Sequence, residues 1–372
     1  MNHAKKIACL LCSLCATQTA LADTPLGWIN AENPSAYTLD ARRVELSLGK
    51  LAVNDTIDFL DIRNDLLAGT RKLVGDSGDL DGQRAELHLG LSSSLSVFYR
   101  RQEQDLKIEL GDIASVHITD IDDGLSTTAT AYGFKWNFFE AGYFDNSGPW
   151  HAAALEVTRT RNTTDDYEGH FDRVTVTSDF IVTFTDPQTF RLNSLEDEGW
   201  QARLLYSLPL SSTVSSTVWA GYGETTATAG TSADIVIEAL MDDFYQQFDI
   251  EDRHFMLGAG VHWQITPRIP LQLSYEFLRV NNINTDIVAP PSNSLLPSFL
   301  RGDNLAAVSE HSNHTLRGSL SYWVTPDVHV SFTGKLFSNQ FLGRIPHYNN
   351  PLSGSFADNP YGYIGLQLGV QL

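Results

Sequence analysis

Residues 311–313, a histidine followed by a serine and an asparagine, have the side chains that hydrolysis of an ester requires. A histidine activates a serine nucleophile when the two side chains are within hydrogen-bond reach. Adjacent residues of a β-strand point to opposite faces, so His311 and Ser312 do not pair within a regular strand. Two His–Asp neighbours could serve a protease, namely His254 near Asp252 and His117 near Asp120. Because these residue types are present, a lipid-modifying hydrolase or a protease is the alternative function.

Two groups of closely spaced carboxylates could bind a metal ion. They are Asp76, Asp79 and Asp81 in the segment GDSGDLDG, and Asp120, Asp122 and Asp123 in TDIDDG. Carboxylate oxygens placed close together around glycine suit Ca²⁺. Neither group has the complete ligand pattern of a twelve-residue calcium loop, and such runs are common in hydrated turns. Ca²⁺ is the one cofactor that the sequence suggests.

The elements that must position these residues are β-strands, because apolar residues recur at every second position. The clearest example runs from Phe255 to Ile265 and is followed, after Pro267, by a second alternating run from Leu271 to Phe277. Two alternating runs separated by a short break predict a hairpin. The same arrangement recurs on both sides of Ser92–Ser94, of the Ser-Ser-Thr turn at 211–213, and of Pro326.

The connections between strands fall into two length classes. Turns of a few residues alternate with polar connections of about 15 to 35 residues, a pattern typical of transmembrane barrels with short periplasmic turns and long extracellular loops. Aromatic residues lie near the ends of the apolar runs, where they would form interfacial girdles. They are Tyr206, Tyr222, Trp263, Tyr275 and Tyr322. A secreted β-sandwich also alternates but has no reason to sort its connections in this way.

Composition excludes several classes of function. The chain has 372 residues, 25 basic against 45 acidic, and a formal charge of −20. Such a charge disfavours binding to the phosphates of nucleic acid. The mean hydropathy is −0.16, and beyond the N-terminus the sequence contains no apolar run long enough for a membrane helix.

The N-terminus has the features of a secretory signal. Lys5 and Lys6 precede an apolar run, and the triplet Ala20-Leu21-Ala22 predicts cleavage before Asp23. All three cysteines, Cys9, Cys12 and Cys15, lie in this signal. We therefore predict a signal peptide at 1–22, an N-terminal segment at 23–83 that holds the first strand and a possible plug, and a barrel at 84–372.

These hairpins, with the alternating residues 364–372 that end the chain, resemble bacterial outer-membrane β-barrel proteins of the porin-like kind. The resemblance implies a Gram-negative source, a place in the outer membrane, contact with its lipids and lipopolysaccharide, and insertion by the barrel-assembly machinery. The chain ends in Leu372, where those proteins usually have Phe or Trp. We predict a single antiparallel up-and-down barrel of about twelve strands. Their ranges are 43–53, 84–92, 95–109, 128–139, 151–160, 198–208, 213–223, 254–265, 270–280, 314–324, 327–338 and 362–372.

If the alternating apolar residues face lipid, the residues between them face the lumen. Parity assigns to the lumen three acidic residues, Glu86, Glu156 and Glu276, and five basic residues, Arg100, Lys135, Arg203, Arg317 and Lys335. Burying such groups requires water or ion pairs, so the lumen is either a wetted pore or closed by ion pairs. The leading hypothesis is a narrow diffusion channel for small polar or anionic solutes.

The segment from Glu224 to Asp252 has eight carboxylates and no lysine or arginine. Its apolar residues have approximate helical spacing, which predicts a short amphipathic helix in an extracellular loop. Such a helix would either cover the mouth of the barrel or lie in a solvated loop. A structural or adhesive barrel, in which the loops carry the function, is the third interpretation.

Overall fold

The computed structural model describes residues 33–53, 79–107, 116–121, 125–142, 150–177, 180–233, 248–285, 312–337 and 361–372. Fourteen β-strands account for most of these residues. Within the described ranges, no helix has the length and apolar character that a membrane crossing requires. The strands are β1 Val44–Val53, β2 Asp79–Ser92, β3 Leu95–Lys107, β4 Val116–Ile121, β5 Leu125–Gly142, β6 Trp150–Thr164, β7 Tyr167–Thr177, β8 Phe180–Pro209, β9 Val214–Ala233, β10 Phe248–Thr266, β11 Ile269–Thr285, β12 Ser312–Thr325, β13 Val328–Phe337 and β14 Tyr361–Gln371.

Twelve of these strands form a closed antiparallel barrel. The order is β1-β2-β3-β5-β6-β8-β9-β10-β11-β12-β13-β14, and β14 pairs with β1 to complete the ring. The closing register places Glu45 opposite Gln371 and Ala52 opposite Ile364. Closure leaves no unpaired strand edge in the wall. The predicted up-and-down barrel of twelve strands is confirmed.

The remaining two strands, β4 and β7, lie outside the ring. β7 pairs with the first part of β8, and β4 pairs with β7. β8 is 30 residues long and β9 is 20, so both continue well beyond the lengths that the apolar alternation predicts. Residues 224–233 belong to β9 and residues 248–252 belong to β10, which corrects the assignment of both ranges to a loop. The predicted helix falls mostly on residues 234–247, outside the described residues.

The two ends of the barrel differ. Short turns join β2 to β3, β8 to β9, β10 to β11 and β12 to β13, and β1 begins and β14 finishes at the same end. We call this the short-turn end and the opposite one the long-loop end. The connections at the long-loop end lie largely outside the described residues.

The outer face of the barrel is an apolar band. On β10, Phe255, Leu257, Val261 and Trp263 are between 45% and 60% exposed, whereas the intervening Met256 is 2% exposed. Aromatic rings lie at both margins of the band, as Trp200, Tyr222 and Phe255 do toward the long loops. Phe255 and Trp263 are eight residues apart, or about 20 Å along the membrane normal at ~3.3 Å per residue and a tilt of ~40°. This span covers most of the ~25 Å apolar band that is typical of outer-membrane barrels.

Candidate functional site

Nine charged side chains point into the barrel at the height of the apolar band, and we call them the charge belt. They are Arg84, Glu86, Arg100, Lys135, Glu156, Arg203, Glu276, Arg317 and Lys335. Seven of the nine are buried by 92% or more. Every second residue of a strand points inward, so each strand can contribute to the belt. The belt extends from β2 around the wall to β13.

Glu156 is the acceptor for two neighbouring cations. The strand register places Lys135 on β5 and Arg203 on β8 on either side of Glu156 on β6. The Nζ of Lys135 is 3.6 Å from Oε2 of Glu156, and Nη2 of Arg203 contacts Oε1. Two cations therefore share one carboxylate.

Glu276, on β11, receives three donors. Nη2 of Arg317 donates to its Oε1 at 2.9 Å, while Nη1 of Arg203 and the indole Nε1 of Trp219 donate to its Oε2 at 3.4 Å and 3.0 Å. Arg203 on β8 thus joins Glu156 on the adjacent strand β6 to Glu276 on β11, with β9 and β10 between β8 and β11. A connected network of this kind holds each side chain in one position.

The third acidic residue of the belt, Glu86, lies between two arginines. Arg84 on the same strand forms an ion pair with it, and Arg100 faces it across the β2–β3 register. The guanidinium of Arg100 also lies 4.8 Å from the ring centre of Phe98. The lumen assignment above omits Arg84, although its position two residues before Glu86 gives it the same parity.

Lys335 completes the belt on β13. It is opposite Arg317 in the strand register, so two basic residues are direct neighbours there. Its Nζ lies 5.9 Å from the ring centre of Tyr363, which also points inward. A cation at this distance is attracted by the face of the ring.

The belt has an excess of positive charge. It contains six basic and three acidic residues, a difference of three. Other buried acidic residues lie nearer the two ends, with Glu45 at the short-turn end and Asp197 and Asp252 toward the long loops. Fixed positive charge is therefore concentrated at mid-height.

A closed barrel with an even number of antiparallel strands, an apolar outer band and a polar interior is the architecture of membrane proteins of the bacterial outer membrane. The fold is that of an outer-membrane β-barrel. The alternation of exposed apolar and buried polar residues on each strand decides this, because a sandwich would bury its apolar face.

Comparison with known proteins finds matches among solved structures only. No family model matches the chain, and no curated protein matches it. Among solved structures, the translocator domain of the autotransporter NalP from Neisseria meningitidis is 7% identical over 99% of this chain and 93% of its own, with a TM-score of 0.44. An outer membrane channel from Pseudomonas putida F1 is 8% identical over 93% and 100%, with a TM-score of 0.43. A Pseudomonas aeruginosa FadL homologue is 8% identical over 90% of each chain, with a TM-score of 0.41. Similarities at this level assign no solute to the outer-membrane barrel.

The candidate enzymatic residues are placed only in part. His311 lies outside the described residues, and Ser312 begins β12. Asp252 and His254 share the inward face of β10, where Asp252 is 2% exposed. His117 and Asp120 lie on β4, outside the barrel wall.

The candidate calcium ligands are described only in part. Asp81 is exposed and forms an ion pair with Lys50 at 2.9 Å. Asp79 begins β2 and Asp120 lies on β4, whereas Asp76, Asp122 and Asp123 are outside the described residues. Among the residues that the structure describes, no group of three or more acidic, histidine or cysteine side chains could hold a metal ion.

Proposed function

We propose that the barrel is a narrow diffusion channel for small polar solutes, with a weak preference for anions. The excess of three positive charges in the charge belt is the observation that supports this preference. Each acidic residue of the belt has a basic partner, namely Arg84 for Glu86, Lys135 for Glu156 and Arg317 for Glu276. The surplus cations remain as fixed charge on the wall of the pathway.

The net charge of the whole chain is −20, which by itself would favour cations. The charges of the belt, however, lie closer to an ion in the lumen than the charges of the loops do. At about 0.15 M salt the screening length is roughly 8 Å, so charges in the loops act weakly on an ion at mid-height. Charges on the wall of a narrow tube act at short range in a medium of low dielectric constant. A twelve-strand barrel is wider than the eight-strand barrels that side chains fill and narrower than the large porins.

The test is the reversal potential of the refolded protein in a planar bilayer under a KCl gradient. We expect a potential of the sign that chloride permeation produces. The double variant Arg203→Gln/Lys335→Gln should shift the reversal potential toward the sign that potassium permeation produces. Each acidic residue of the belt keeps a basic partner in this variant. The matched control is Arg159→Gln with Arg161→Gln, which removes two positive charges from the outer wall, where these side chains are 51% and 61% exposed.

Two results would contradict the proposal. A bilayer that stays silent with the folded protein would favour a lipid-modifying enzyme or a structural barrel. A reversal potential that is unchanged in the double variant would show that Arg203 and Lys335 do not act on the permeating ion.

A further inference from the structure

Residues 33–40, which we call the plug segment, precede β1 and lie inside the barrel at the short-turn end. Ala36 is completely buried in a cluster with the inward-facing residues Ala152, Ala154, Leu205 and Trp219. Like Ala36, the cluster members Ala152, Ala154 and Leu205 have no exposed surface. The segment therefore packs against the inner wall formed by β6, β8 and β9.

Hydrogen bonds anchor the plug segment at two separate parts of the wall. The amide of Ala36 donates to Oγ of Ser207, on β8, at 2.9 Å. The hydroxyl of Thr38 donates to the carbonyl of Ser93, in the turn between β2 and β3, at 2.8 Å. Strands β3, β5 and β6 lie between these two anchors in the ring. The segment thus runs across part of the short-turn mouth, from β8 to the turn between β2 and β3.

Gly90 on β2 provides close backbone contact for the end of the segment. A β-carbon at this position would lie 1.9 Å from the carbonyl oxygen of Asp40 and 2.7 Å from that of Leu39. The carbonyl of Gly90 also accepts a hydrogen bond from the amide of Arg42 at 2.8 Å, and its amide donates to the carbonyl of Arg43 at 2.9 Å. Any residue with a side chain at position 90 would push the segment away from the wall.

The plug segment lies next to the charge belt. Trp219 packs in the same cluster as Ala36 and donates its indole N–H to Glu276 of the belt. A solute that passes the belt toward the short-turn end therefore meets the plug segment next. The segment is not a strand of the wall, so its release would leave the barrel ladder intact. Segments held by few hydrogen bonds are those that open locally.

We infer that the plug segment restricts passage through the short-turn mouth and that the channel conducts fully only when the segment leaves this position. The inference rests on the proposed channel function. It adds a gate that is part of the same chain, separate from the charges that select the ion.

The first test fixes the segment in place with a disulfide. The chain beyond residue 22 has no cysteine, so an introduced pair is unambiguous. The 2.9 Å hydrogen bond between Ala36 and Ser207 brings their α-carbons within about 7 Å, the range that a disulfide spans. We expect oxidised Ala36→Cys/Ser207→Cys to conduct less than the same protein after reduction. The control is Ser321→Cys/Ser331→Cys, a directly opposed pair on β12 and β13 with a 2.7 Å hydroxyl contact, which leaves the plug segment free.

The second test displaces the segment and does not depend on conduction. Gly90→Ala should push the carbonyl of Asp40 away, whereas the control Gly334→Ala has no atom within 4 Å of the added carbon. Ala152→Cys, at a site with no exposed surface under the plug segment, reports displacement through its reaction with a charged thiol reagent. We expect Gly90→Ala to accelerate that reaction about tenfold and Gly334→Ala to leave it unchanged.

The outcomes separate this inference from the proposed function. Equal conductance of the oxidised and reduced Ala36→Cys/Ser207→Cys proteins, in a channel that does conduct, would overturn the plug. Equal labelling of Ala152→Cys in the two glycine variants would overturn it as well. A barrel that never conducts but labels faster with Gly90→Ala would support a removable segment while contradicting the channel.

Discussion

The indole ring of Trp219 occupies the space next to Gly258 on the neighbouring strand. A β-carbon on Gly258 would lie 2.1 Å from two atoms of the ring, closer than any side chain tolerates. The register pairs the two residues directly, on β9 and β10. In this position Trp219 is 3% exposed and holds Glu276 by a 3.0 Å hydrogen bond. The absence of a side chain at 258 therefore positions a residue of the charge belt.

The substitution Gly258→Ala should displace the indole. We expect a loss of about 1 to 3 kcal/mol in the free energy of unfolding, the usual cost of an added methyl in a packed interior. Urea unfolding followed by tryptophan fluorescence measures it. Gly334→Ala is the control, since its added carbon meets no atom within 4 Å. Equal effects of the two alanines would contradict the close contact.

A second prediction concerns the lipid face. Leu257 is 60% exposed within the apolar band of β10, so Leu257→Arg should cost about 2 to 4 kcal/mol in a bilayer. Glu251→Arg on the same strand is the control, because position 251 is exposed and lies beyond Phe255 at the edge of the band. Refolding into lipid vesicles at increasing urea compares them. An equal loss for both would contradict the position of the membrane boundary.

The parity rule explains how much of this barrel is predictable from sequence. Lipid on one side and a polar lumen on the other force apolar and polar residues to alternate, as at Arg203 and Leu204, which are 7% and 55% exposed. A shift of one residue would exchange the two faces, so the pattern determines both the strand and its orientation. For this reason all twelve wall strands are identifiable from the sequence.

Where a strand leaves the apolar band, the sequence no longer reveals it. In the first part of β8, from Phe180 to Leu192, the outer face lies above the apolar band, so alternation is no longer required. β7 pairs with this part of β8, and β4 pairs with β7. Neither strand is predictable from apolar alternation. The sequence suggests a plug somewhere within residues 23–83, but its exact residues are not predictable, because the buried Asn33, Ala36 and Leu39 recur at every third position in no regular element.

A third prediction compares a buried with an exposed carboxylate. Glu276 accepts hydrogen bonds from Arg203, Arg317 and Trp219, so Glu276→Gln removes the carboxylate that pairs with Arg317 and one of the two that pair with Arg203. We expect a loss of about 3 to 5 kcal/mol. Glu198→Gln removes an exposed partner of Arg159 and should cost less than about 1 kcal/mol. Urea midpoints of the two variants, with equal slopes, decide the comparison. Similar losses would show that the buried ion pairs of the belt contribute no more to stability than an exposed pair does.

The last prediction concerns pH. Asp252 lies on β10 three residues before Phe255, which places it on the long-loop side of the apolar band. Its side chain is 2% exposed. Burial raises the pKa of Asp252 to about 7. An aspartate in the unfolded chain titrates near pH 3.9. Between these values the folded protein holds a proton that the unfolded chain has lost.

The stability of the barrel should therefore fall as the pH rises from about 4 to about 7, by at most roughly 4 kcal/mol from this group. Urea unfolding at about pH 5 and about pH 8 measures the change. Asp252→Asn should remove most of it, because an amide does not titrate in this range. Asp327→Asn, in an exposed turn, is the control and should keep the wild-type difference. If the difference persists in Asp252→Asn, another group is responsible, and the buried carboxyl of Asp252 is not the one that takes up the proton.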